Sequence, residues 1–244
     1  MQQNKISILS TRAIDGSLIN HAKKLNIEVD VLSFIEIKTI DTTEVRKEIE
    51  NALLRSSAVV FTSMNAVEVV ANNLNSQQPD WRIYSIGHTT SNLVIKYFGE
   101  EAITGIADSA SELGKLIVAK GEDDGVIFFC GDQRRDELPE FLRNHDIDMN
   151  EIVVYETVAV PHKVDKQYHG ILFFSPSTVE SFFSSNKIAA STVLFAIGNT
   201  TANALRKHGN NEIIISNEPG KDKLFRKMME YFAWMGSEYL TIHH

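Results

Sequence analysis

Short apolar runs recur along the chain at residues 6–9 (ISIL), 58–61 (AVVF), 82–86 (RIYSI), 126–129 (VIFF), 152–155 (IVVY), 170–174 (GILFF), 193–197 (VLFAI) and 212–215 (EIII). They show almost no polar alternation, which predicts strands covered on both faces of a parallel sheet. Between them, residues 65–74, 89–98, 109–119, 134–143, 200–208 and 222–232 carry apolar positions three and four apart. That spacing predicts one buried helix face in each segment. The alternation of the two patterns predicts an α/β fold with doubly wound, flavodoxin-like parallel sheets.

The pattern also repeats itself. Residues 59–68 (VVFTSMNAVE) match 172–180 (LFFSPSTVE), pairing Ser63 with Ser175, Val67 with Val179 and Glu68 with Glu180. Residues 86–90 (IGHTT) match 197–201 (IGNTT), with Asn92 on Asn203 and Lys96 on Lys207. The opening residues 6–37 resemble 127–157, with Leu18 on Leu138 and Ile27 on Ile147, so this block has changed places in the order. Two similar domains are therefore expected to be interleaved: residues 1–37 plus 160–244 form the first, interrupted by residues 38–159 as the second. Two chain crossings, near residues 35–38 and 155–160, predict a connector of two antiparallel strands, followed by Pro161. A ligand held between two such domains is the natural expectation. Residues 235–244 fall outside both matches and read as a tail.

Composition narrows the classes. With 244 residues and 43% hydrophobic content, the chain can build one large core or two smaller ones. No apolar run reaches the roughly 18–20 residues of a membrane span, and the polar start MQQNK does not read as a secretory signal. A cytoplasmic monomer with no membrane partner is expected. The single cysteine, Cys130, allows no internal disulfide and fits a reducing compartment. A net charge of −8 and a pI near 5.5 argue against a nucleic-acid partner.

Candidate chemistry gathers where strands end and helices begin. Ser63, Asn65, Thr89, Ser109, Ser175, Ser177 and Thr200 all stand at such places. Each suits a helix cap, and together they also suit a surface of hydroxyl and N–H donors for a ligand rich in carboxylates. Arg12 follows the first strand, and Arg134 and Arg135 follow its counterpart in the repeat, where a guanidinium fork can hold a carboxylate. Tyr155 ends an apolar run at the second crossing, as packing or with its hydroxyl presented to ligand. Cys130 has no adjacent activating base and reads as a small apolar filler. Neither Gly87 nor Gly198 belongs to a G-x-G-x-x-G run, and there is no Walker A sequence. Asp123-Asp124 precedes a strand and reads as a solvated turn; the histidines are scattered, with His243-His244 at the end. Neither a cofactor nor a metal is expected.

The segments FTSMNAV (61–67), Ile86-Gly87 with Thr90, Gly131 with Arg135 and Leu138, YET (155–157), FSPS (174–177) and IGNTT (197–201) resemble, in order and spacing, those of the uroporphyrinogen-III synthases. The resemblance spans residues 12 to about 232. It implies two α/β domains joined by a two-stranded connector, with a linear tetrapyrrole octacarboxylate between them. It also implies a cofactor-free cyclisation of hydroxymethylbilane to uroporphyrinogen III, with inversion of the last pyrrole ring through a spiro intermediate and loss of water. Tyr155 then corresponds to the proposed catalytic tyrosine, acting as acid directly or through water. Ser63, Asn65, Thr90, Ser109, Ser175, Ser177, Thr200 and Thr201, with Arg12 and Arg135, become the substrate-binding set. A transient contact with the preceding pathway enzyme is a further expected partner. The rival expectations are a non-enzymatic two-lobed α/β protein that binds a small anion, and a regulatory protein of receiver-like units.

Overall fold

The computed structural model describes residues 5–75, 77–122, 124–218 and 220–241, with residues 235–241 given by backbone alone. The chain opens with β1 (Ile6–Ser10), α1 (Gly16–Lys24) and β2 (Ile27–Val31). It continues through β3 (Ile35–Thr39), α2 (Thr43–Leu53), β4 (Ser57–Phe61), α3 (Met64–Asn73), β5 (Trp81–Ile86), α4 (His88–Phe98), β6 (Ile103–Ala107), α5 (Ala110–Lys120), β7 (Val126–Gly131), α6 (Glu137–Arg143) and β8 (Met149–Ala159). It closes with β9 (Gly170–Phe173), α7 (Pro176–Phe183), β10 (Val193–Ala196), α8 (Asn199–Arg206), β11 (Ile213–Ile215) and α9 (Lys221–Thr241). Met1–Glu36 with Val158–His244 make one compact unit, and Ile37–Thr157 make the other.

Each unit holds one sheet. The first has the order β11-β10-β9-β1-β2, parallel throughout. The second has the order β3-β8-β7-β4-β5-β6, parallel from β8 to β6. Read as β2-β1-β9-β10-β11 beside β8-β7-β4-β5-β6, the two sheets coincide strand for strand. Both follow the flavodoxin-like spatial order, the second with its chain start moved. The swapped sequence match is thus a swapped strand order: β1 corresponds to β7, and β9 and β10 correspond to β4 and β5. Strands β3 and β8 carry the chain between units. The Ile40 N–H donates to the Val154 carbonyl at 2.9 Å and the Val160 N–H to the Phe34 carbonyl at 2.9 Å, so one number rises as the other falls and the pair is antiparallel.

Burial explains the unbroken apolar runs. In β4, Ala58 and Val60 face one apolar layer with Phe128 and Leu113, while Val59 and Phe61 face the other with Val67 and Phe129. Successive residues on a strand point to opposite faces, so a sheet covered on both sides needs every position apolar. A fully buried Phe61 contributes about 1.5–3 kcal/mol through removal of apolar surface from water.

Two expectations are corrected. The helix expected over residues 134–143 begins at Glu137, because residues 132–134 turn first and the Arg134 N–H bonds the Gly131 carbonyl at 3.2 Å. The tail expected from residue 235 is, as far as Thr241, the continuation of α9, whose buried Leu224, Phe225, Met228 and Phe232 anchor a helix that then propagates one hydrogen bond per residue. His243-His244 and Asp123 lie outside the described residues, and Asp124 sits in a turn. Among the described residues, no helix is long and apolar enough to cross a membrane.

Candidate active site

Three of the serines singled out in the sequence cap helices. Ser63 Oγ accepts the Asn65 N–H at 3.2 Å, Ser109 Oγ accepts the Glu112 N–H at 3.2 Å, and Ser175 Oγ accepts the Thr178 N–H at 3.2 Å. Capping uses an oxygen lone pair and leaves the hydroxyl proton to be donated elsewhere, so a cap can also be a ligand donor. Helices α4 and α8 instead start from Gly87 and Gly198, with no side-chain cap. Their first-turn N–H groups therefore form positive ends suited to an anion. Thr90 and Thr201 are buried in those first turns, whereas Thr200 is exposed.

Within the Ile37–Thr157 unit, a cavity of about 430 Å³ opens at the carboxyl ends of β4, β5, β6 and β7. Ser63, Ser109, Arg135 and Tyr155 come together there; Asn65 and Thr90 stand in the adjoining helices but do not line it. Thr62 and Gln133 also line it and were not singled out by sequence, although Thr62 lies inside the FTSMNAV motif. Asp108 and Glu137 add negative charge at its wall. A cavity of about 470 Å³ elsewhere in the unit is lined by Asp80, Trp81, Phe98 and Glu101. It lies at the amino end of β5, away from the strand-end donors.

Backbone geometry decides where Tyr155 points. The β7–β8 register shifts between Cys130, which pairs with Val153, and Gly131, which pairs with Tyr155. Such an irregularity re-aims the side chain beside it. The phenol ring then crosses the bare backbone of Gly131, where a Cβ would lie 2.3 Å from Tyr155 Cζ and 2.7 Å from its hydroxyl. Following the glycine, the Asp132 N–H donates to the Tyr155 carbonyl at 3.1 Å, Asp132 Oδ1 accepts the Thr157 N–H at 2.9 Å and Gln133 Nε2 donates to the Thr157 carbonyl at 3.2 Å. Held on both sides, the Tyr155 hydroxyl donates to Ser63 Oγ at 3.0 Å.

The two arginines differ. Arg134 is engaged with Asp136 and with Glu151, its Nη2 lying 3.0 Å from Glu151 Oε1, and these hydrogen bonds push its guanidinium pKa up. It braces the turn that carries Gln133. Arg135 is exposed at the cavity wall, available for a ligand carboxylate. Cys130 is buried and its thiol is pushed up to about 11 by burial and by Glu151, so it fills space as a protonated thiol.

The other unit carries related polar residues at its own strand ends. Arg12 is exposed after β1, beside a buried Thr11 whose hydroxyl donates to the Leu172 carbonyl at 2.7 Å. Ser175 Oγ lies 3.1 Å from Ser177 Oγ and 2.8 Å from Thr178 Oγ1, a hydroxyl cluster at the end of β9. Thr200 and Thr201 stand at the end of β10.

A sequence model of the family described as uroporphyrinogen-III synthase HemD matches residues 17–226. The chain is 26% identical over 198 residues to a uroporphyrinogen-III synthase of Chlorobaculum parvum, covering 73% of this chain and 80% of that one. It is 27% identical over 246 residues to a porphyrin biosynthesis protein HemD of Ruminiclostridium josui, covering 93% of this chain and 48% of the relative. Among solved structures, a uroporphyrinogen-III synthetase from Helicobacter pylori is similar with a TM-score of 0.66 at 18% identity, covering 93% and 99% of the two chains. A mutant uroporphyrinogen III synthase from Thermus thermophilus is similar with a TM-score of 0.63 at 12% identity, covering 95% and 99%. Those two likenesses concern the fold, while the family match runs through both sheets and through the cavity with its Tyr155–Ser63 pair: the chain belongs to the uroporphyrinogen-III synthase HemD family.

Proposed function

We propose that this chain is a cyclising lyase that converts linear hydroxymethylbilane to uroporphyrinogen III, with inversion of ring D and net loss of water. The observation that carries the reading is the Tyr155–Ser63 hydroxyl pair at the strand-end cavity of a chain matched by this family. The reaction begins when the terminal hydroxyl leaves as water, which requires a proton. The Tyr155 hydroxyl carries a proton and stands at the cavity wall, so Tyr155 is the proton source. Arg135 and the capping serine Ser109 hold carboxylates in one unit, with Asn65 and Thr90 beside them, while Ser63 lines the cavity next to the Tyr155 hydroxyl. Arg12, Ser175, Ser177, Thr200 and Thr201 do so in the other. Holding the acetate and propionate arms favours the inverting attack over direct closure, which is an effect of position rather than of acid strength.

The same reading takes residues 1–37 with 160–244, and 38–159, as the two domains of a cytoplasmic monomer. It needs no cofactor and receives substrate through a transient contact with the preceding enzyme. The test adds purified protein to freshly generated hydroxymethylbilane, oxidises the products and separates the uroporphyrin isomers. Dominant type III isomer is expected; type I alone, at the rate without protein, overturns the reading. In the same assay, Tyr155→Phe lowers type III formation by about 10²- to 10⁴-fold, the usual worth of a positioned acid.

A further inference from the structure

We propose that the group handing the proton to the departing hydroxyl is Ser63, with Tyr155 behind it as the proton's source, in a two-hydroxyl relay. The proposal rests on the synthase reading above and adds which atom meets the substrate. A serine hydroxyl has two lone pairs and one proton. Ser63 Oγ accepts from the Tyr155 hydroxyl at 3.0 Å and from the Asn65 N–H at 3.2 Å. Both lone pairs are then occupied, and Ser63 donates to no described residue, so its proton is left for a ligand in the cavity that Ser63 lines. The Tyr155 proton, in contrast, is already committed to Ser63 and has no second path to the substrate without breaking that bond.

The two donors make Ser63 a better acid than an isolated serine. As its proton moves out, negative charge develops on Oγ, where the helix α3 amide and the phenol proton both point. Hydrogen-bonded hydroxyls in series polarise one another, and the positive end of α3 stabilises the developing charge. The step balances as follows. Ser63 Oγ–H protonates the terminal hydroxyl of hydroxymethylbilane, the carbon–oxygen bond breaks with its electron pair on oxygen, and water leaves. The Tyr155 proton passes to Ser63 Oγ, leaving a phenolate. When the macrocycle finally closes, the proton released from the attacking pyrrole carbon returns through Ser63 to the phenolate. Substrate has lost one water, and both side chains are restored.

The test measures the rate of type III isomer formation for the full chain and for Ser63→Ala, Tyr155→Phe, the double variant and Ser63→Thr. The expected result is a fall in kcat of about 10²- to 10⁴-fold for each single variant with KM changed by less than about fivefold, and no further fall in the double. Ser63→Thr, which keeps cap and hydroxyl, recovers rate that Ser63→Ala loses. The general cost of losing a helix cap is gauged by Thr42→Ala, which removes the hydroxyl capping α2 at Val45 and is expected to lower the melting temperature without changing kcat. An active protein in which Ser63→Ala keeps kcat within about threefold overturns the relay alone, as does a double variant whose loss is the product of the singles. A full chain that yields type I isomer only overturns the synthase reading beneath it.

Discussion

Gly131 leaves no room for a side chain, since a Cβ there would sit 2.3 Å from the Tyr155 ring. A ring atom cannot tolerate that distance, and the strand backbone is held by the Asp132 and Gln133 bonds, so the ring has to swing away. Gly131→Ala is therefore expected to cost type III formation nearly as much as Tyr155→Phe, and to cost nothing further in a Tyr155→Phe background. Steady-state rates of the three variants check this. A second buried site speaks to stability. Glu122 accepts the Tyr84 hydroxyl at 2.6 Å and Arg82 Nη2 at 2.6 Å. Arg82 holds the carboxyl below its ordinary range, against the opposing push of burial and with help from Tyr84. A depressed carboxyl contributes stability above its unfolded pKa and loses it as pH falls through the folded one. Urea unfolding should therefore show the wild type more stable than Glu122→Gln above about pH 5, with the gap closing as the pH drops below the ordinary glutamate pKa of about 4.3. Removing the phenol donor by Tyr84→Phe should cost about 1–3 kcal/mol at neutral pH by the same measurement, because a buried carboxylate oxygen loses a partner.

Helix starts that look alike in sequence differ in backbone strain. Gly87 and Gly198 occupy the same place in the two IG-x-TT segments, yet Gly87 has φ 77 and ψ 146 while Gly198 has φ −176 and ψ 177. Neither would bring a Cβ within 4 Å of another group, so conformation alone separates them. Gly87→Ala should cost about 1–3 kcal/mol by thermal or urea unfolding, and Gly198→Ala far less, because extended backbone suits any residue. The sequence could not reveal this difference, since it carries the same letter at both places. Strands with both faces covered were legible from their runs. Strand β6 (ITGIA) was not, because Gly105 interrupts its run, and the Tyr84 ring already fills the space where its Cβ would go, at 2.9 Å. Helix α2 escaped notice because it buries only Ile49 and Ala52 among charged neighbours. The Tyr155–Ser63 contact joins residues 92 apart and depends on a local shift of strand register, neither of which any periodicity records.

At the scale of the whole molecule, the permuted repeat was legible because each matched segment keeps a strand end and the helix start after it, wherever the block falls in the chain. The permutation also makes the units unequal. Ile37–Thr157 is one continuous stretch with apolar layers on both faces of its sheet, whereas the other unit draws on both ends of the chain. Residues 37–157 expressed alone should unfold cooperatively in urea by circular dichroism and, if Arg12, Ser175 and Thr200 hold carboxylates as proposed, produce no type III isomer. A further consequence concerns time. Strand β1 lies between β2 and β9, and β9 leaves the ribosome only after all of the other unit has been made. At about 5–20 residues per second, the apolar β1–β2 segment waits on the order of ten seconds for its inner neighbour. The inserted unit has by then had time to fold, so the first segment synthesised is among the last to be sheltered, and it is the place where a chaperone would find this chain during synthesis.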